Sequence, residues 1–296
     1  MGYGAWSATT YDSLSTSLSN KSRGAIYNRA SKDDNTKSGQ KVNVEEVKFR
    51  ESRDSEEHPL STPIMIALDV TGSMGIIPEK LIKGGLGVLV NEILQRKPIT
   101  DPHLLFMGIG DAVQHDRAPL QVTQFESDNR ICDQLTDLWL EGGGGGNHFE
   151  SYDLAWAFAI YKTITDAWEK RKEKGFLFTI GDEQFPKSTS LSYFNNSITN
   201  DVKEVSPLFL LDEASKKWNV FHIIIAQGDY ASRYLNDVKN SWKQHLNKRV
   251  LLLNDYNFLP QLIISAIALD SGVEFGTVMS WWQEDCVKIL NQAFFQ

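Results

Sequence analysis

An aspartate and two hydroxyl residues occupy alternate positions in the stretch Asp-Val-Thr-Gly-Ser-Met at 69–74. They directly follow the apolar run 64–68, which has the composition of a strand buried on both faces. Because alternate side chains of an extended chain point the same way, Asp69, Thr71 and Ser73 present three oxygens together. Such a group could bind a metal ion, supply a nucleophile or cap the helix that follows.

A second aspartate, Asp182, follows a later apolar run at 174–181. In an open parallel sheet, ligands bind beyond the carboxyl ends of the strands, at the point where the strand order reverses. If that order is 3-2-1-4-5-6, the strands that end at Asp69 and Asp182 are neighbours at this point. Two carboxylates and two hydroxyls, with no cysteine or histidine nearby, are ligands for a hard divalent cation such as Mg²⁺ or Mn²⁺.

Alternating apolar runs and amphipathic stretches predict an α/β fold: a doubly wound, mostly parallel six-stranded sheet flanked by helices. The strands are expected at 64–68, 104–110, 119–125, 174–181, 219–226 and 249–253. Helices are expected from about Pro78 and near 127–139, 151–170, 207–218, 230–246 and 257–270. Three glycines, Gly84, Gly85 and Gly87, fall in the first helix, where a close approach of helix and sheet would explain them.

Composition divides the chain into three parts. Residues 1–58 are rich in Ser, Asn, Lys and Asp and have too few apolar residues to fold alone. We expect a polar arm here that is partly disordered or docked, with a short strand at 44–49. The α/β domain is expected at 59–272, and an aromatic helix or tail at 273–296. The tail is interpreted as a helix packed on the domain, with a partner anchor as the alternative.

The chain of 296 residues has a formal net charge of −8, which disfavours a broad nucleic-acid surface. No apolar run reaches the ~20 residues of a membrane span. The first residues have neither the basic start nor the apolar centre of a secretory signal. The two cysteines, Cys132 and Cys286, are expected to be reduced and buried. Cytoplasmic residence is the resulting expectation.

The apolar strand, the motif Asp-x-Thr-Gly-Ser-Met, a glycine-rich second loop and an aspartate closing the fourth strand resemble a von Willebrand factor A domain. The resemblance covers about residues 60–272. In that family the first motif belongs to a metal-ion-dependent adhesion site, and a carboxylate of a partner protein completes the metal shell. The resemblance implies metal ligands at four positions: Asp69, Thr71, Ser73 and Asp182. It also implies a MoxR-type AAA+ ATPase as a candidate partner.

The glycine-rich loop, 141–151, departs from the family pattern, which usually has a threonine there. It reads Glu-Gly-Gly-Gly-Gly-Gly-Asn-His-Phe-Glu-Ser, and its glycines allow backbone conformations closed to other residues. We expect Asn147 to supply the missing oxygen, with Glu150 or Ser151 as alternatives. A flexible linker is the competing interpretation. Asp111, at the end of the second strand, is expected to cap a turn or to orient a metal-bound group.

Three functions fit these residues. We favour a binding module, not an enzyme, in which a metal at the crevice lends one coordination position to an acidic residue of another protein. The alternative is a phosphotransferase of the haloacid-dehalogenase type, in which Asp69 would be phosphorylated. That family needs a lysine between its motifs, and the candidates are Lys162, Lys170, Lys172 and Lys174. The third is a scaffold that binds through the arm and tail. Glu183 is expected to be a solvated surface residue, with a contribution to the negative field beside the metal as the alternative. His115 and His148 are expected in solvent or just outside the ligand shell.

Overall fold

The computed structural model describes residues 4–19, 42–114, 116–140 and 147–295. The described strands are β1 (Arg50–Ser52), β2 (Thr62–Asp69), β3 (Pro102–Ile109), β4 (Leu120–Val122), β5 (Thr163–Thr165), β6 (Gly175–Gly181), β7 (Trp218–Ile225) and β8 (Val250–Leu253). The described α-helices are α1 (Ala8–Ser19), α2 (Ile77–Lys80), α3 (Leu86–Arg96), α4 (Arg130–Leu135), α5 (Asp153–Tyr161), α6 (Asp166–Arg171), α7 (Leu191–Ser197), α8 (Pro207–Lys217), α9 (Asp229–Leu246), α10 (Leu259–Asp270), α11 (Phe275–Met279) and α12 (Glu284–Phe294). The arm segments 1–3 and 20–41, His115, residues 141–146 of the glycine-rich loop and Gln296 lie outside the described residues.

The main sheet has six strands in the order β4-β3-β2-β6-β7-β8. β4 is antiparallel to β3, and every other neighbouring pair is parallel. Counted along the chain within this sheet, the order is 3-2-1-4-5-6, as the sequence predicted. The α/β class with a doubly wound, mostly parallel sheet is therefore confirmed. The order reverses between β2 and β6, so their carboxyl ends flank the crevice.

The central strand β2 owes its position to an uninterrupted apolar sequence. Ile64, Ile66 and Leu68 pack into the core layer on one face of the sheet, which also contains α3, α10 and α12. Met65 and Ala67 pack into the layer on the other face, with α5, α8 and α9. Because alternate side chains enter opposite layers, a strand between two helical layers must be apolar at every position.

The expected strand at 44–49 is wrong. Val44–Glu46 forms a 3₁₀ turn, in which the side chain of Asn43 accepts a hydrogen bond from the Glu45 N–H at 3.1 Å. Extended structure begins later, in β1, which pairs in parallel with β5 as a separate two-stranded sheet. A capped turn satisfies backbone groups locally, and this outweighs the weak alternation of the two valines.

The expected helix at 151–170 is interrupted. It consists of α5 and α6, with β5 between them. β5 is the sequence Thr-Ile-Thr, and all three residues are β-branched and favour extended backbone. The Thr163 hydroxyl donates to the carbonyl of Ala159 at 2.6 Å, which ends the first helix. α7 was not predicted, because its sequence is polar and mixed.

Helix α1 of the polar arm docks on the chain between α2 and α3. The Tyr11 hydroxyl donates to the Gly84 carbonyl at 3.1 Å, and the Ser15 hydroxyl donates to the Lys83 carbonyl at 3.0 Å. A Cβ atom on Gly87 would overlap the Tyr11 ring, whereas one on Gly84 would meet nothing within 4 Å. We expected these glycines to allow a close approach of helix and sheet. At Gly87 this is wrong, because glycine there makes room for the ring of Tyr11, a residue of the arm.

The tail forms two helices that pack against the core. Cys286 and Leu290 of α12 are buried in the same layer as α10, and the Trp282 indole donates to the Ser265 hydroxyl at 2.9 Å. Phe295, just after α12, is 72% exposed. Both cysteines are free and buried. No helix within the described residues is long and apolar enough to cross a membrane.

Candidate metal centre

Asp69 is the last residue of β2 and is fully buried. One of its carboxylate oxygens, Oδ1, accepts hydrogen bonds from the Thr71 N–H at 2.9 Å and from the Thr71 hydroxyl at 2.6 Å. This is the local turn that an aspartate makes with the residue two positions on. It fixes the start of the loop and brings the first two predicted ligands together.

Ser73 connects this loop to the neighbouring strand. Its hydroxyl oxygen lies 3.2 Å from the Thr71 hydroxyl oxygen and donates to Oδ1 of Asp182 at 2.7 Å. Ser73 sits in a short 3₁₀ turn, Gly72–Met74, which directs the hydroxyl toward the end of β6. The structure thus brings four of the predicted residues together in a four-residue chain of close oxygen–oxygen contacts, across 109 positions in sequence between Ser73 and Asp182.

Asp182 is also held by helix α9. Its second oxygen, Oδ2, accepts a hydrogen bond from the Tyr230 N–H at 2.9 Å, in the first turn of that helix. The N-terminus of a helix favours a negative charge, because its N–H groups are unpaired and its dipole is positive there. A Cβ atom on Gly228 would overlap the Asp182 side chain. Glycine at 228 therefore allows the carboxylate to reach the helix.

Tyr152 was not predicted from the sequence, yet it contacts the same site. Its buried hydroxyl donates to Oδ2 of Asp69 at 2.9 Å. A Cβ atom on Gly181 would overlap this hydroxyl, so glycine at the end of β6 makes room for it. The Tyr152 ring lies 5.2 Å from His222 and 5.5 Å from Trp242, and the latter two rings stack at 3.4 Å. The sequence feature that could have indicated Tyr152 is its position between the glycine-rich loop and an apolar helix.

The carboxyl groups around this site are buried close to one another. Burial, followed by the charge of Asp182, raises the pKa of Asp69 to about 7. The pKa of Asp182 is also raised by burial, and its hydrogen bond from Ser73 opposes this. Burial, then the charges of Asp69 and Glu183, raise the pKa of Glu150 to about 11. Asp111 and Asp116 add to this shift, so burial and neighbouring carboxyls together disfavour the charged form of Glu150.

Glu183 is not the solvent-exposed residue that we expected. It is 7% exposed, and burial raises its pKa to about 8, with Asp69 and Asp182 adding to the shift. The next residue, Gln184, contacts the end of the glycine-rich loop: its N–H donates to the His148 carbonyl at 3.2 Å, in a bridge between the two loops. One oxygen of Glu183 and one of Glu150 are buried without a hydrogen-bond partner.

The remaining predicted residues form a second group around Asp111. The Asn147 amide donates to Oδ2 of Asp111 at 2.6 Å, and the Val113 N–H donates to Oδ1 at 2.8 Å. Asp111 therefore caps the turn after β3. The Ser151 hydroxyl accepts a hydrogen bond from the Ala112 N–H at 3.0 Å. Within the described chain, no hydrogen bond connects Asn147, Ser151 or Asp111 to the four-residue chain.

A bound cation would need the hydroxyl groups as well as the carboxylates. Among the described residues, no group of three or more His, Cys, Asp or Glu side chains is arranged to hold a metal ion. The donor set that the geometry offers is instead two carboxylates, Asp69 and Asp182, with the Thr71 and Ser73 hydroxyls. All are oxygen donors, which suits a hard divalent cation.

The sheet order defines a doubly wound α/β domain, with the candidate site where the strand order reverses. No protein-family model matches the chain, and a comparison with curated proteins finds no match.

Three solved structures illustrate what the chain is similar to. The open conformation of the pilus adhesin SpaC from Lactobacillus rhamnosus GG matches with 11% identity and a TM-score of 0.47, over 78% of this chain and 31% of that one. Proximal thread matrix protein 1 from the mussel byssus, with a zinc-occupied MIDAS motif, matches with 11% identity and a TM-score of 0.42, over 75% and 49%. A von Willebrand factor type A protein from Catenulispora acidiphila matches with 12% identity and a TM-score of 0.41, over 72% and 43%. This chain thus spans less than half the length of each.

Proposed function

We propose that this chain is a divalent-cation-dependent protein-binding module similar to a von Willebrand factor A domain, and that Mg²⁺ or Mn²⁺ binds where β2 and β6 end. The observation that carries the proposal is the close approach of four oxygen-bearing side chains: Thr71 donates to Asp69 at 2.6 Å, Ser73 donates to Asp182 at 2.7 Å, and the two hydroxyl oxygens lie 3.2 Å apart. Their oxygens already lie within contact of one another, and two of the four are carboxylates that together offset the charge of one divalent ion.

The glycine-rich loop would add one more oxygen to this set. The Asn147 amide nitrogen donates to Asp111, and the amide oxygen makes no hydrogen bond within the described chain. We therefore keep Asn147 as the ligand proposed from this loop, with Asp111 holding it in place. Glu150 and Ser151 remain the alternatives. When bound, the cation would act as a Lewis acid that accepts a carboxylate oxygen of the partner protein.

We propose that the module is not a phosphotransferase. That reaction needs a lysine near Asp69, and the ammonium groups of the candidate lysines are engaged elsewhere. Lys162 donates to the carbonyls of Val44 and Val47 at 3.0 and 2.7 Å. The others, Lys170, Lys172 and Lys174, contact Asp166, the Trp168 ring and the Ser215 carbonyl, respectively. These contacts favour the binding module over the enzyme.

Thermal unfolding in MgCl₂, MnCl₂ or EDTA tests the metal. A cation at about 100 times its Kd should stabilise the wild type by about 2.7 kcal/mol, because it binds the folded state alone. Asp69→Ala and Asp182→Ala should abolish this gain. Asp212→Ala, on the exposed face of α8, is the matched control and should keep it. If the wild-type midpoint is the same in cation and chelator, the proposal is wrong.

Two further measurements separate the alternatives. Affinity capture in Mg²⁺ and in EDTA should recover a protein only when the cation is present. We further propose that the chain resides in the cytoplasm and that its partner is a MoxR-type AAA+ ATPase. Identifying the captured protein, and the compartment in which that protein occurs, tests both. Release of phosphate from an aryl phosphate, lost in Asp69→Ala, would instead favour the enzyme. If capture of a partner protein requires residues 1–58 and is unchanged by EDTA, the scaffold is favoured.

A further inference from the structure

An open pocket of about 640 Å³ lies beside the 69–74 loop. We name it the Ile76 pocket. Its apolar lining comes from the start of α2, from α3 and from the chain around the start of α10: Ile76, Ile77, Val88, Tyr256, Leu259 and Pro260. Ile77 and Leu259 are buried and belong to the core, so the floor of the pocket is fixed by packing.

Two aliphatic side chains at this pocket remain largely in solvent. Ile76 is 54% exposed and Val88 is 40% exposed. A single exposed aliphatic residue is ordinary, but two that line one concave surface next to a binding site indicate a contact area. Burying a side chain of this size gains enough free energy to change the affinity of a partner about tenfold or more.

The pocket opens at the same edge of the sheet as the candidate metal site. Ile76 is three residues after Ser73, and Gly75 between them has a φ of 55°, which favours glycine and turns the chain toward the pocket. On the other side, Tyr256 follows β8, and its N–H donates to the side chain of Gln227, which follows β7, at 2.8 Å. A partner segment bound at Ser73 would therefore have Ile76 within its reach.

The rim of the pocket carries a positive charge, the ammonium group of Lys80. The Lys80 ammonium donates to the Tyr256 hydroxyl at 2.6 Å and lies 5.1 Å from the centre of its ring. No carboxylate in the described chain forms an ion pair with it. Glu79, the nearest acid in sequence, is paired with Lys83 at 2.6 Å. Lys80 thus adds a positive charge beside a site that is otherwise acidic.

We propose that the Ile76 pocket binds a large apolar side chain of the partner segment whose carboxylate meets the cation, and that Lys80 pairs with a second acidic residue of that segment. This inference rests on the proposed function and specifies the chemistry of the partner: an acidic segment with an aromatic or aliphatic residue a few positions from its metal-binding carboxylate. The exposed aliphatic side chains supply the apolar contact, and Lys80 supplies the charge complementarity.

Fluorescein-labelled peptides provide the test, with anisotropy measured on the full chain in Mn²⁺. One set contains two acidic residues and a phenylalanine two to five positions from the first. In the matched sets, the phenylalanine is replaced by glycine or the acids by amides. For at least one distance between the first acidic residue and the phenylalanine, the peptide with phenylalanine and both acids (the complete peptide) should bind at least about tenfold more tightly than the same peptide with glycine in place of phenylalanine. Ile76→Asn and Val88→Asn should each remove most of this difference.

Three controls make the outcome decisive. Leu208→Asn alters an exposed leucine in α8, on the other face of the sheet, and should change nothing. Lys80→Gln should weaken the doubly acidic peptide by about threefold and a singly acidic one less. Mn²⁺ binding without peptide, followed by electron paramagnetic resonance, should be the same in wild type, Ile76→Asn and Val88→Asn.

The possible results separate this inference from the proposed function. If Mn²⁺ binds and phenylalanine makes no difference at any spacing, the pocket proposal is wrong and the metal site stands. If the complete peptide binds equally well in EDTA, the pocket acts without the cation and the proposal is also wrong. If Mn²⁺ itself does not bind, both proposals fail.

Discussion

Asp69 loses its contact with water on folding and gains only neutral hydrogen-bond donors in return. Its oxygens accept from the N–H and hydroxyl of Thr71 and from the hydroxyl of Tyr152. A buried carboxylate in this position is costly unless it takes up a proton or meets a cation. Since Asp182 directly follows the adjacent strand β6, a divalent ion between the two carboxylates would offset both charges at once.

The sequence predicts part of this site and misses the rest for a physical reason. The alternation of side chains at the end of a strand predicts that Asp69, Thr71 and Ser73 lie together. The predicted strand order places Asp182 next to them. The hydrogen bond from Tyr152 depends on the absence of a side chain at Gly181, and the two are brought together only by folding. Sequence periodicity reports only local structure, so it gives no sign of the contact between Tyr152 and Gly181.

We expect Tyr152→Phe to destabilise the metal-free protein by about 1–3 kcal/mol, because it leaves one buried oxygen of Asp69 without its donor. Urea unfolding in EDTA measures this loss. Tyr161→Phe is the matched control in the same stretch of chain, since Tyr161 is at the other end of α5 and 36% exposed. Equal unfolding free energies for the two variants would contradict the assigned hydrogen bond.

Among the elements, the long apolar strands are readable from sequence and the short ones are not. β2 is covered on both faces, so its apolar run is itself the signal. β1 and β5 have three residues each, include polar side chains, and pair only with each other, across 113 positions from Arg50 to Thr163. Their pairing follows from the packing of the arm against the domain, which no local pattern encodes.

Gly84, between α2 and α3, and Gly87, in the first turn of α3, provide a matched pair of substitutions. Gly87→Ala should destabilise the protein, because the new methyl group displaces the Tyr11 ring from its packed position. Gly84→Ala meets open space and should stabilise the helical segment by about 0.5–1 kcal/mol. Thermal unfolding compares the two variants. If both shift the midpoint in the same direction, the contact between Tyr11 and Gly87 is not as described.

The start of β3 introduces a dependence of stability on pH. His103 is buried, one ring nitrogen lies 3.1 Å from the Ser52 hydroxyl, and burial together with the charge of His58 lowers its pKa to about 4. Between pH 6.5 and about 4 the unfolded chain binds the proton and the folded protein does not, so stability falls as the pH falls through this window.

We expect His103→Gln to remove this slope. From pH 6.5 to 4, the wild type should lose up to roughly 3 kcal/mol more stability than the variant. Urea unfolding at several pH values measures the difference. His222, whose pKa burial also lowers, contributes equally to both proteins and cancels. Parallel curves for the two proteins would show that His103 does not titrate in this way.

At the scale of the whole molecule, the folded unit is larger than the stretch of alternating strands and helices. Tyr11 and Val42 of the polar arm and Leu290 of the tail belong to the same core cluster as β2. Arg50 donates through its guanidinium to the backbone carbonyl of Thr123 at 2.8 Å. Polar composition alone did not indicate how much of the arm contributes to the core.

We therefore expect a protein trimmed to residues 59–272 to unfold at a midpoint many degrees below that of the full chain, because it loses buried residues of α1 and α12 and the β1–β5 pair. Calorimetry of the two proteins measures the shift. Removal of Phe295 and Gln296 alone is the control and should have little effect, since Phe295 is largely in solvent. A trimmed protein as stable as the full chain would contradict this view of the core.

The aromatic rings around Tyr152 should make the intrinsic fluorescence of the protein sensitive to the candidate metal site. Light absorbed by this phenol passes efficiently to an indole only 5.5 Å away, and Trp242 is stacked on His222. The same phenol donates a hydrogen bond to Asp69, one of the proposed metal ligands. The near-ultraviolet emission of unlabelled protein should therefore change when an ion occupies the crevice, and a titration needs no dye.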